Sequence, residues 1–566
     1  MTRSFPRFVQ FARALGALVL GAAFLAGPAA AEDDRPAYGV IVRLKTPASA
    51  DTARVAPQRA KEALARAFQA KSMPLGAVRP LDGRQHVVQW ARPLNAAEAR
   101  RLVEELRADP EVEWAEPNVM ERRFQAATTQ APTDPEYVRQ WWLSATPGPG
   151  SRGVPNIQAA WARATGLGRP VNVAVLDTGL TEHPELGDPA RFGTGYDLVT
   201  NEDGLAGDGD GRDPDFSDPG DFVSAGTCGS RTPEEPSSWH GTRITGQIAA
   251  QTNNGVGVAG VNWGVRVISV RVAGKCGARV DDIVAGMRWA AGLQVEGLPV
   301  NPHPARIVSL SFGGPGDCRV YQPTIDELVA KGVLIVAAAG NEDGAVARPA
   351  RCRGVLGVGA VNRDGFKAKY SNLGPEIGIT TVGGDGAAGS SVGAYDREAE
   401  DGGIHTTTNN GDQAPGAPGY ESTYGTSFST PIVAAAASLM LAVNPQLTLD
   451  QLVHGMKVTA RPHVADHPSF SLPQCRSGVS RGRCYCTTST CGAGLLDVAG
   501  ALAYAQDPQP YGPAPSFWSP APPGGNGGGE SDGDGDGGGV IGAAWAALLG
   551  LAALAAAGST RRVRSG

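Results

Sequence analysis

The chain lacks a basic patch, and its charge has the wrong sign for a polyanionic partner. Its 50 Lys and Arg residues are outnumbered by 56 Asp and Glu residues, so the formal net charge is −6. This balance argues against nucleic-acid binding, which needs clustered cations to neutralise phosphates. Zinc-ligand spacing is also absent from the eight cysteines, apart from the close pair Cys484 and Cys486.

The N-terminus lacks a hydrophobic run that is long enough to cross a bilayer. The run from Ala14 to Gly27 has 14 residues, whereas a spanning helix needs about 20. Basic residues precede the run and small residues follow it, namely Arg3, Arg7 and Arg13 before it and Ala29, Ala30 and Ala31 after it. This arrangement predicts a secretory signal peptide over residues 1–31. Export favours disulfides over free thiols, and adjacency along the sequence favours the pairs Cys228–Cys276 and Cys318–Cys352.

The most informative motif is the turn Gly425-Thr-Ser-Phe-Ser-Thr-Pro431, which runs directly into an apolar segment. Proline fits only the first turn of a helix, so Pro431 is predicted to lie there and Ser427 at or just before the helix N-terminus. Backbone N–H groups there favour developing negative charge, which suits a nucleophilic serine. An ordinary helix cap is the alternative.

Three further residues stand at the ends of predicted strands or helices and could serve as partners of a catalytic serine. Asp177 ends the buried strand pattern that starts at Val171, and Asn341 follows a second such pattern. Carboxyl ends of parallel strands are where α/β sheets place ligands. His240 precedes a helical pattern and is followed by a glycine. Each residue has a structural alternative, as a turn residue or a buried histidine.

Together these motifs resemble the subtilisin-type serine endopeptidases, the subtilases. The segments Val175–Gly179, His240–Thr242 and Gly425–Pro431 stand in that family's order, Asp then His then Ser. Leu310–Gly314 is similar to the family's substrate-binding strand, and Ala339–Asn341 is similar to its oxyanion segment. The resemblance covers residues 134–505. It implies an α/β fold, a doubly wound and mostly parallel sheet with helices on both faces.

The resemblance also implies a role for each matched residue. Ser427 would attack the scissile carbonyl, His240 would take its proton, and Asp177 would orient the imidazole. Asn341 would stabilise the oxyanion. The substrate strand would consist of Ser311, Phe312 and Gly313, although plain strand residues are the alternative for Ser311 and Phe312.

The sequence departs from the family pattern at three places. Arg243 stands where the family commonly has a second histidine, and Phe428 replaces the methionine that often follows the nucleophile. Thr381–Gly384 occupies the place of the usual Ala-Pro-Gly. None of these changes removes a catalytic group.

An acidic, glycine-rich insertion, Asp203–Asp221, lies between the Asp and His motifs. It suggests a structural Ca²⁺ site on its carboxylates, because calcium prefers six to eight oxygen ligands, and subtilases often carry such an ion. The candidate ligands are Asp208, Asp210, Asp213 and Asp215. The spacing is not that of an EF-hand, and a solvated acidic loop is the alternative. The chemistry itself needs no cofactor.

Residues 32–125 are predicted to form a small α+β domain. Strand patterns occur at 39–44, 86–90 and 111–117, and an amphipathic helix is predicted from Asn95 to Leu106. Its apolar face would contain Ala99, Leu102, Val103 and Leu106. This domain resembles the subtilase inhibitory propeptide, which would assist folding and block the cleft. An unrelated small domain is the alternative.

The C-terminal part is predicted to be a linker over 506–539, an apolar segment over 540–558 and a basic cytoplasmic tail over 559–566. The last two resemble a bacterial sorting signal of the glycine-pair type that is cut by a rhomboid-like protease. A permanent membrane anchor is the alternative. The predicted partners are therefore protein or peptide substrates, the chain's own propeptide, the export machinery and a sorting protease.

Two other functions share parts of this pattern. A catalytically silent binding module would have lost a residue of the triad, and none is lost. A serine esterase would share the chemistry but would not need a propeptide or a peptide-pairing strand. The sequence therefore favours a secreted or cell-surface serine endopeptidase. Cleavage-site preference is not readable from it.

Overall fold

The computed structural model describes residues 37–45, 75–81, 85–119, 131–201, 204–386, 401–467 and 471–517. The chain divides into two compact units, Met1–Gln125 and Ala126–Gly566. The predicted signal peptide (1–31), apolar segment (540–558) and basic tail (559–566) lie outside the described residues, as does most of the linker (506–539).

The described residues of the first unit form a four-stranded antiparallel sheet and one helix. The elements are β1 (Ala37–Leu44), β2 (Leu75–Pro80), β3 (Gln85–Leu94), α1 (Ala96–Arg107) and β4 (Val112–Val119), and the strand order is β2-β3-β1-β4. Helix α1 buries the predicted apolar face, and Asn95 Oδ1 caps it by accepting from Glu98 N at 2.9 Å. The role of this unit as a propeptide stays a prediction.

The second unit contains a seven-stranded parallel sheet in the order β13-β12-β11-β10-β5-β7-β6. Its strands are β5 (Asn172–Asp177), β6 (Thr194–Asp197), β7 (Arg266–Arg271), β10 (Ile307–Leu310), β11 (Leu334–Ala338), β12 (Val355–Val361) and β13 (Ile377–Val382). Two short hairpins flank it, β8 (Ala273–Gly274) with β9 (Gly277–Ala278), and β14 (Ile404–Asn409) with β15 (Pro418–Thr423).

Helices cover both faces of this sheet. They are α2 (Trp141–Ser144), α3 (Ile157–Trp161), α4 (Pro189–Phe192), α5 (His240–Ala249), α6 (Val280–Ala290), α7 (Gln322–Ala330), α8 (Thr426–Val443), α9 (Leu449–Val458), α10 (Thr488–Cys491) and α11 (Val498–Gln506), with 3-10 turns at Tyr137–Arg139, Pro184–Leu186 and Gln509–Tyr511.

Alternate side chains of each strand point to opposite faces of the sheet. In β5, Val173 and Val175 join the apolar cluster that contains α5 and α8, whereas Ala174 and Leu176 join the cluster that contains α6 and α7. A sheet buried on both faces explains why its strands read as continuous apolar runs. The predicted fold class is confirmed.

Helix α8 is the central core helix of the second unit. It is the one helix within the described ranges that is long and apolar enough to cross a membrane, with a mean hydropathy of 1.6, but 94% of it is buried inside the unit. It packs against β10, β11 and β12. Its apolar character is therefore accounted for by burial in a protein core.

All eight cysteines are paired. The structure contains Cys228–Cys276 and Cys318–Cys352, the two predicted pairs, together with Cys475–Cys484 and Cys486–Cys491, which the sequence left open among the last four cysteines. Three of these sulfurs lie within 4.8 Å of one another, but all are in disulfides and so do not form a metal site.

Candidate active site

Three neighbouring strands of the sheet end at the same edge, and each delivers one predicted site residue. Asp177 is the last residue of β5, Ser311 directly follows β10, and Asn341 follows β11 by three residues. Because β5, β10 and β11 are adjacent and parallel, their carboxyl ends meet. The site therefore lies where open α/β sheets place their ligands.

Asp177 and His240 are joined by a hydrogen bond. His240 Nδ1 lies 2.8 Å from Asp177 Oδ1, and His240 is the first residue of α5. The Asp177 side chain is 1% exposed and that of His240 is 20% exposed, so the carboxylate is shielded while the ring reaches solvent. An Nδ1–H donor to a carboxylate leaves Nε2 free to accept a proton.

The environment of His240 favours its charged form. Burial lowers the pKa of the ring, but the charge and hydrogen bond of Asp177 outweigh burial, so the net effect is a raised pKa. Arg243 opposes this effect and Asp221 adds to it. The rings of Phe312 and Phe428 each lie with their centroids 5.6 Å from that of His240. His240 therefore has two aromatic rings beside it, and three nearby charges influence its pKa.

Ser427 is the second residue of helix α8, which begins at Thr426 after Gly425. The Ser427 Oγ donates to the carbonyl oxygen of Ser311 at 3.1 Å. Among the described residues this hydroxyl makes no hydrogen bond with His240, and bonds of this kind commonly tighten only when substrate is bound. The helix start was predicted correctly.

The predicted position of Pro431 was wrong. Pro431 lies in the second turn of α8, inside the helix, where a proline removes the hydrogen bond to the carbonyl four residues earlier. That carbonyl belongs to Ser427, and it accepts instead from Ser311 Oγ at 3.0 Å. Ser311 and Ser427 therefore exchange two hydrogen bonds, and the proline is compatible with the helix because a side chain satisfies the freed carbonyl.

The amide of Asn341 is oriented by Thr426. Asn341 Oδ1 accepts from Thr426 N and from Thr426 Oγ1, both at 2.9 Å. The amide oxygen is thereby engaged, and the NH₂ group is left as the donor end of an exposed side chain. Gly425, whose φ is +152°, lies next to this amide. A Cβ on Gly425 would be 3.4 Å from Asn341 Nδ2.

The segment after β10 has an open backbone. In the described part of the chain, no hydrogen bond engages the N–H or C=O groups of Phe312 and Gly313, whereas Gly314 pairs with Arg348. A side chain at Gly313 would approach the Arg348 carbonyl oxygen to 2.9 Å. Unpaired backbone at a strand end is available for the addition of an extended peptide.

The departures from the family pattern have local roles. Arg243 donates to Thr408 Oγ1 at 3.0 Å and to Glu421 at 2.6 Å, which connects α5 to the β14–β15 hairpin. Gly383, within the Thr381–Gly384 segment, accepts from Gly425 N at 3.0 Å and so supports the turn before Ser427.

The four candidate calcium ligands do not form a cluster. No three carboxylates gather within 4.8 Å of one another among the described residues, and Asp208 is bound by the guanidinium of Arg271. Asp213 accepts from Asp215 N at 2.7 Å, and Asp215 accepts from Ser217 N at 2.9 Å, so both cap local turns. These residues do not fit a site built on all four carboxylates. Calcium binding by this insertion stays a prediction.

Sequence reasoning missed two carboxylates of the same insertion that approach the site. Asp218 is 2% exposed and accepts from Thr178 Oγ1 at 2.6 Å. Burial raises its pKa to about 7, although the hydrogen bonds from Thr178 and Gly220 lower it. Asp221 accepts from Ser238 N at 2.6 Å. The acidic run gave the only signal, and it could not separate these two residues from their neighbours.

A buried carboxylate that orients a histidine beside a helix-start serine defines a class of protein, the hydrolases that activate serine with a general base. The comparison with known sequences gives the family. The Subtilase family profile matches residues 168–481, more than half of the chain. The chain belongs to the subtilase family, whose members are serine-type endopeptidases.

Individual relatives agree with this assignment. An "Extracellular protease" of Xanthomonas campestris pv. campestris is 37% identical over 439 residues, which cover 77% of this chain and 67% of the relative. An "Extracellular basic protease" of Dichelobacter nodosus is 36% identical over 352 residues, or 61% of this chain and 53% of the relative. The match thus spans about two thirds of the first relative and about half of the second.

A solved structure supports the fold. A protease from Pseudoalteromonas arctica PAMC 21717 is 37% identical, with a TM-score of 0.56, over 66% of this chain and 100% of that chain. The fold is therefore shared with a protease whose structure has been solved.

Proposed function

We propose that this protein is a secreted endopeptidase that hydrolyses peptide bonds of proteins through the triad Asp177, His240 and Ser427. The observation that carries the proposal is the 2.8 Å hydrogen bond between the shielded Asp177 carboxylate and His240 Nδ1, which leaves the Nε2 atom of a partly exposed ring free. The relatives named extracellular proteases support secretion.

In this mechanism His240 Nε2 removes the proton of Ser427 Oγ while the oxygen attacks the scissile carbonyl carbon. The oxygen of the tetrahedral intermediate accepts from Asn341 Nδ2 and from the Ser427 backbone N–H. The C–N bond then breaks, and the imidazolium gives its proton to the leaving amine. Water attacks the acyl-enzyme in the same way, with His240 as the base, and restores Ser427.

Asp177 contributes to this cycle in two ways, by fixing the tautomer of His240 and by placing a negative charge beside its ring. Its carboxylate holds the proton on Nδ1, so the ring presents a lone pair at Nε2, and it stabilises the imidazolium that forms. The raised pKa of His240 is the ground-state sign of that stabilisation.

The substrate would lie along Ser311, Phe312 and Gly313. The open N–H and C=O groups of Phe312 and Gly313 match an extended backbone, which favours a peptide over a simple ester as substrate. The side chain of Ser311 does not take part directly, since it is buried and bonded to Ser427.

The first unit would serve as an intramolecular inhibitor that is removed to give the active enzyme. The secretory signal and the glycine-pair sorting or anchor segment stay predictions, because they lie outside the described residues. In a Ser427→Ala protein, residues 32–125 would remain covalently attached if removal is autocatalytic. Intact-mass measurement of the exported protein tests this point. The same measurement shows whether the C-terminal residues 540–566 have been removed, which tests the sorting segment.

The test of the triad combines a fluorophosphonate probe with casein hydrolysis, on wild type and on Ser427→Ala. We expect the wild type to be labelled and active and Ser427→Ala to be neither. Ser429→Ala is the matched control, because Ser429 lies in the same helix and is fully buried. An unlabelled wild type that has been correctly processed would refute the endopeptidase proposal, and full activity in Ser427→Ala would refute the assignment of the nucleophile.

A further inference from the structure

One carboxylate of the acidic insertion, that of Asp218, binds the residue that follows Asp177. Asp218 Oδ2 accepts from Thr178 Oγ1 at 2.6 Å, and its Oδ1 accepts from Gly220 N at 2.9 Å. Thr178 is itself 2% exposed. A buried carboxylate that receives two donors at these distances is fixed in orientation.

Thr178 lies between the two segments that carry Asp177 and His240. Its backbone N–H donates to Asp177 Oδ1 at 2.8 Å, and its hydroxyl accepts from Gly241 N at 3.0 Å. Gly241 directly follows His240, and a Cβ there would lie 2.2 Å from the carbonyl oxygen of Gly179. The strand end and the helix start therefore approach each other closely, and the Thr178 hydroxyl makes a polar contact between them in addition to the Asp177–His240 bond.

Asp218 sets the direction of this contact. A hydroxyl has one proton, and when the proton points to Asp218 the lone pairs of the Thr178 oxygen face Gly241 N–H. Without the acceptor, the hydroxyl proton would be free to turn toward Gly241, and a buried N–H would lose its partner. Asp218 thus determines which end of the Thr178 hydroxyl faces the His240 helix.

The orientation of Asp177 depends on few bonds. Its Oδ2 is buried and has no hydrogen-bond partner within the described residues, so both of its bonds, from His240 Nδ1 and Thr178 N, are made at Oδ1. A shift of Thr178 is therefore passed to the carboxylate that orients the base. The same insertion also fixes the residue two before His240, because Asp221 accepts from Ser238 N and Oγ at 2.6 and 2.7 Å.

We infer that Thr178 and Asp218 are positioning residues that hold Asp177 and His240 in register, and that the acidic insertion contributes to catalysis through Asp218. This inference rests on the proposed triad. Neither residue touches substrate in this assignment, and both act through the distance and angle of the Asp177–His240 pair.

The main variant is Thr178→Val, which removes the hydroxyl and keeps the shape of the side chain. We expect kcat to fall about 10- to 100-fold, the scale of a misplacement of about 1 Å in a catalytic group, while KM stays within about threefold. Thr178→Ser, which keeps the hydroxyl, should recover most of the lost kcat. Active sites are counted with a fluorophosphonate probe, so that unfolded protein does not enter the rate.

The matched control is Thr200→Val. Thr200 Oγ1 donates to the buried Asp282 at 2.7 Å, so it makes the same kind of bond away from the triad. We expect kcat and KM of Thr200→Val to equal those of wild type per active site. An equal loss of kcat in both valine variants would overturn the inference, because it would show a general effect of burying an unpaired aspartate.

The pH profile of kcat/KM supplies a readout that a structural role would not move. The charged groups that face His240 are Asp177, Arg243 and Asp221. A looser Asp177–His240 pair favours the imidazolium less, so the acidic limb should move to lower pH in Thr178→Val and return in Thr178→Ser. An unmoved limb with wild-type kcat in Thr178→Val would also overturn the inference.

Asp218→Ala is the second route in case Thr178→Val does not fold. It should lower kcat in the same direction, and the double variant with Thr178→Val should lose less than the product of the two single losses, because both act through one bond. Fully multiplicative losses would count against the inference. An Asp177→Ala variant distinguishes failure of this inference from failure of the proposed triad. A wild-type kcat in that variant would refute the proposed triad itself.

Discussion

The sheet edge and the acidic insertion bring residues to the same cleft by different physical means. Asp177, Ser311 and Asn341 are placed by strands that are buried on both faces and joined by parallel hydrogen-bond ladders. The insertion between β6 and α5 adds no strand to that sheet within its described residues. Its Asp208 is bound by the buried guanidinium of Arg271, and the segment that joins it to α5 is crosslinked by Cys228–Cys276. The sheet sets positions by burial, whereas the insertion sets them by charge and covalent links.

The largest effect is expected at the sheet edge, from Asp177→Asn. The amide would donate to the ring and favour the wrong tautomer, and the loss typical of this substitution in such triads is about 10⁴-fold in kcat. Steady-state kinetics on a peptide substrate measure it, with Asp281→Asn on the exposed side of α6 as the control. Unchanged kcat would contradict the role of Asp177 in holding the tautomer.

The next effect tests the insertion. Replacing Cys228 and Cys276 by serine opens a loop with a sequence separation of 48, and on the chain-entropy account this costs about 4 kcal/mol of stability. Opening Cys486–Cys491, with a separation of 5, should cost about 2 kcal/mol.

Urea unfolding in a Ser427→Ala background, where autolysis is absent, compares the two disulfides. Equal losses would show that loop length does not decide their contributions. A loss confined to Cys486–Cys491 would contradict the view that crosslinking holds the insertion in place.

Asn341→Leu should have a smaller effect than Asp177→Asn. The residue keeps its place after β11 but loses the oxyanion donor, so kcat should fall about 10²- to 10³-fold with little change in KM. Rates per titrated active site measure this. A rise in KM alone would instead indicate that Asn341 binds ground-state substrate.

The smallest effect is expected from two charges near His240, Asp221 of the insertion and Arg243 of helix α5. Activity requires neutral His240, so kcat/KM should rise with pH through the raised pKa of this residue. Asp221→Asn removes a charge that favours the imidazolium, and the acidic limb should move to lower pH. Arg243→Gln removes a charge that opposes it, and the limb should move to higher pH. Shifts of the same sign in both variants would contradict this electrostatic account.

Much of the sheet edge was predictable because its physics is local in sequence. A strand buried on both faces is an apolar run, and the polar residue that ends it, such as Asp177 or Asn341, stands out. The apolar face of α1 was predictable for the same reason, from its helical period. Strand β2 was missed because Leu75–Pro80 is short and contains glycine and proline, which do not favour strands.

The insertion could not be predicted in the same way. Asp208 and Asp218 belong to the same acidic run, but one pairs with Arg271 and the other with Thr178, and those partners are 63 and 40 residues away. Only the folded chain determines which carboxylate meets a cation, a hydroxyl or solvent. The placement of Pro431 failed similarly, because the hydroxyl that satisfies the Ser427 carbonyl comes from Ser311, 116 residues earlier.

The strand order has a consequence for when activity can arise during synthesis. The central strand β5 lies between β7 and β10, and helix α8, which carries Ser427, packs against β10, β11 and β12. The cleft is therefore assembled from segments that leave the ribosome up to about 250 residues apart, and such non-local pairing is intrinsically slow to form. A chain shorter than residue 443 lacks the end of the helix on which these strands pack. Ser427 is thus the last residue of the proposed triad to be made, so a nascent chain that ends before it lacks the proposed nucleophile.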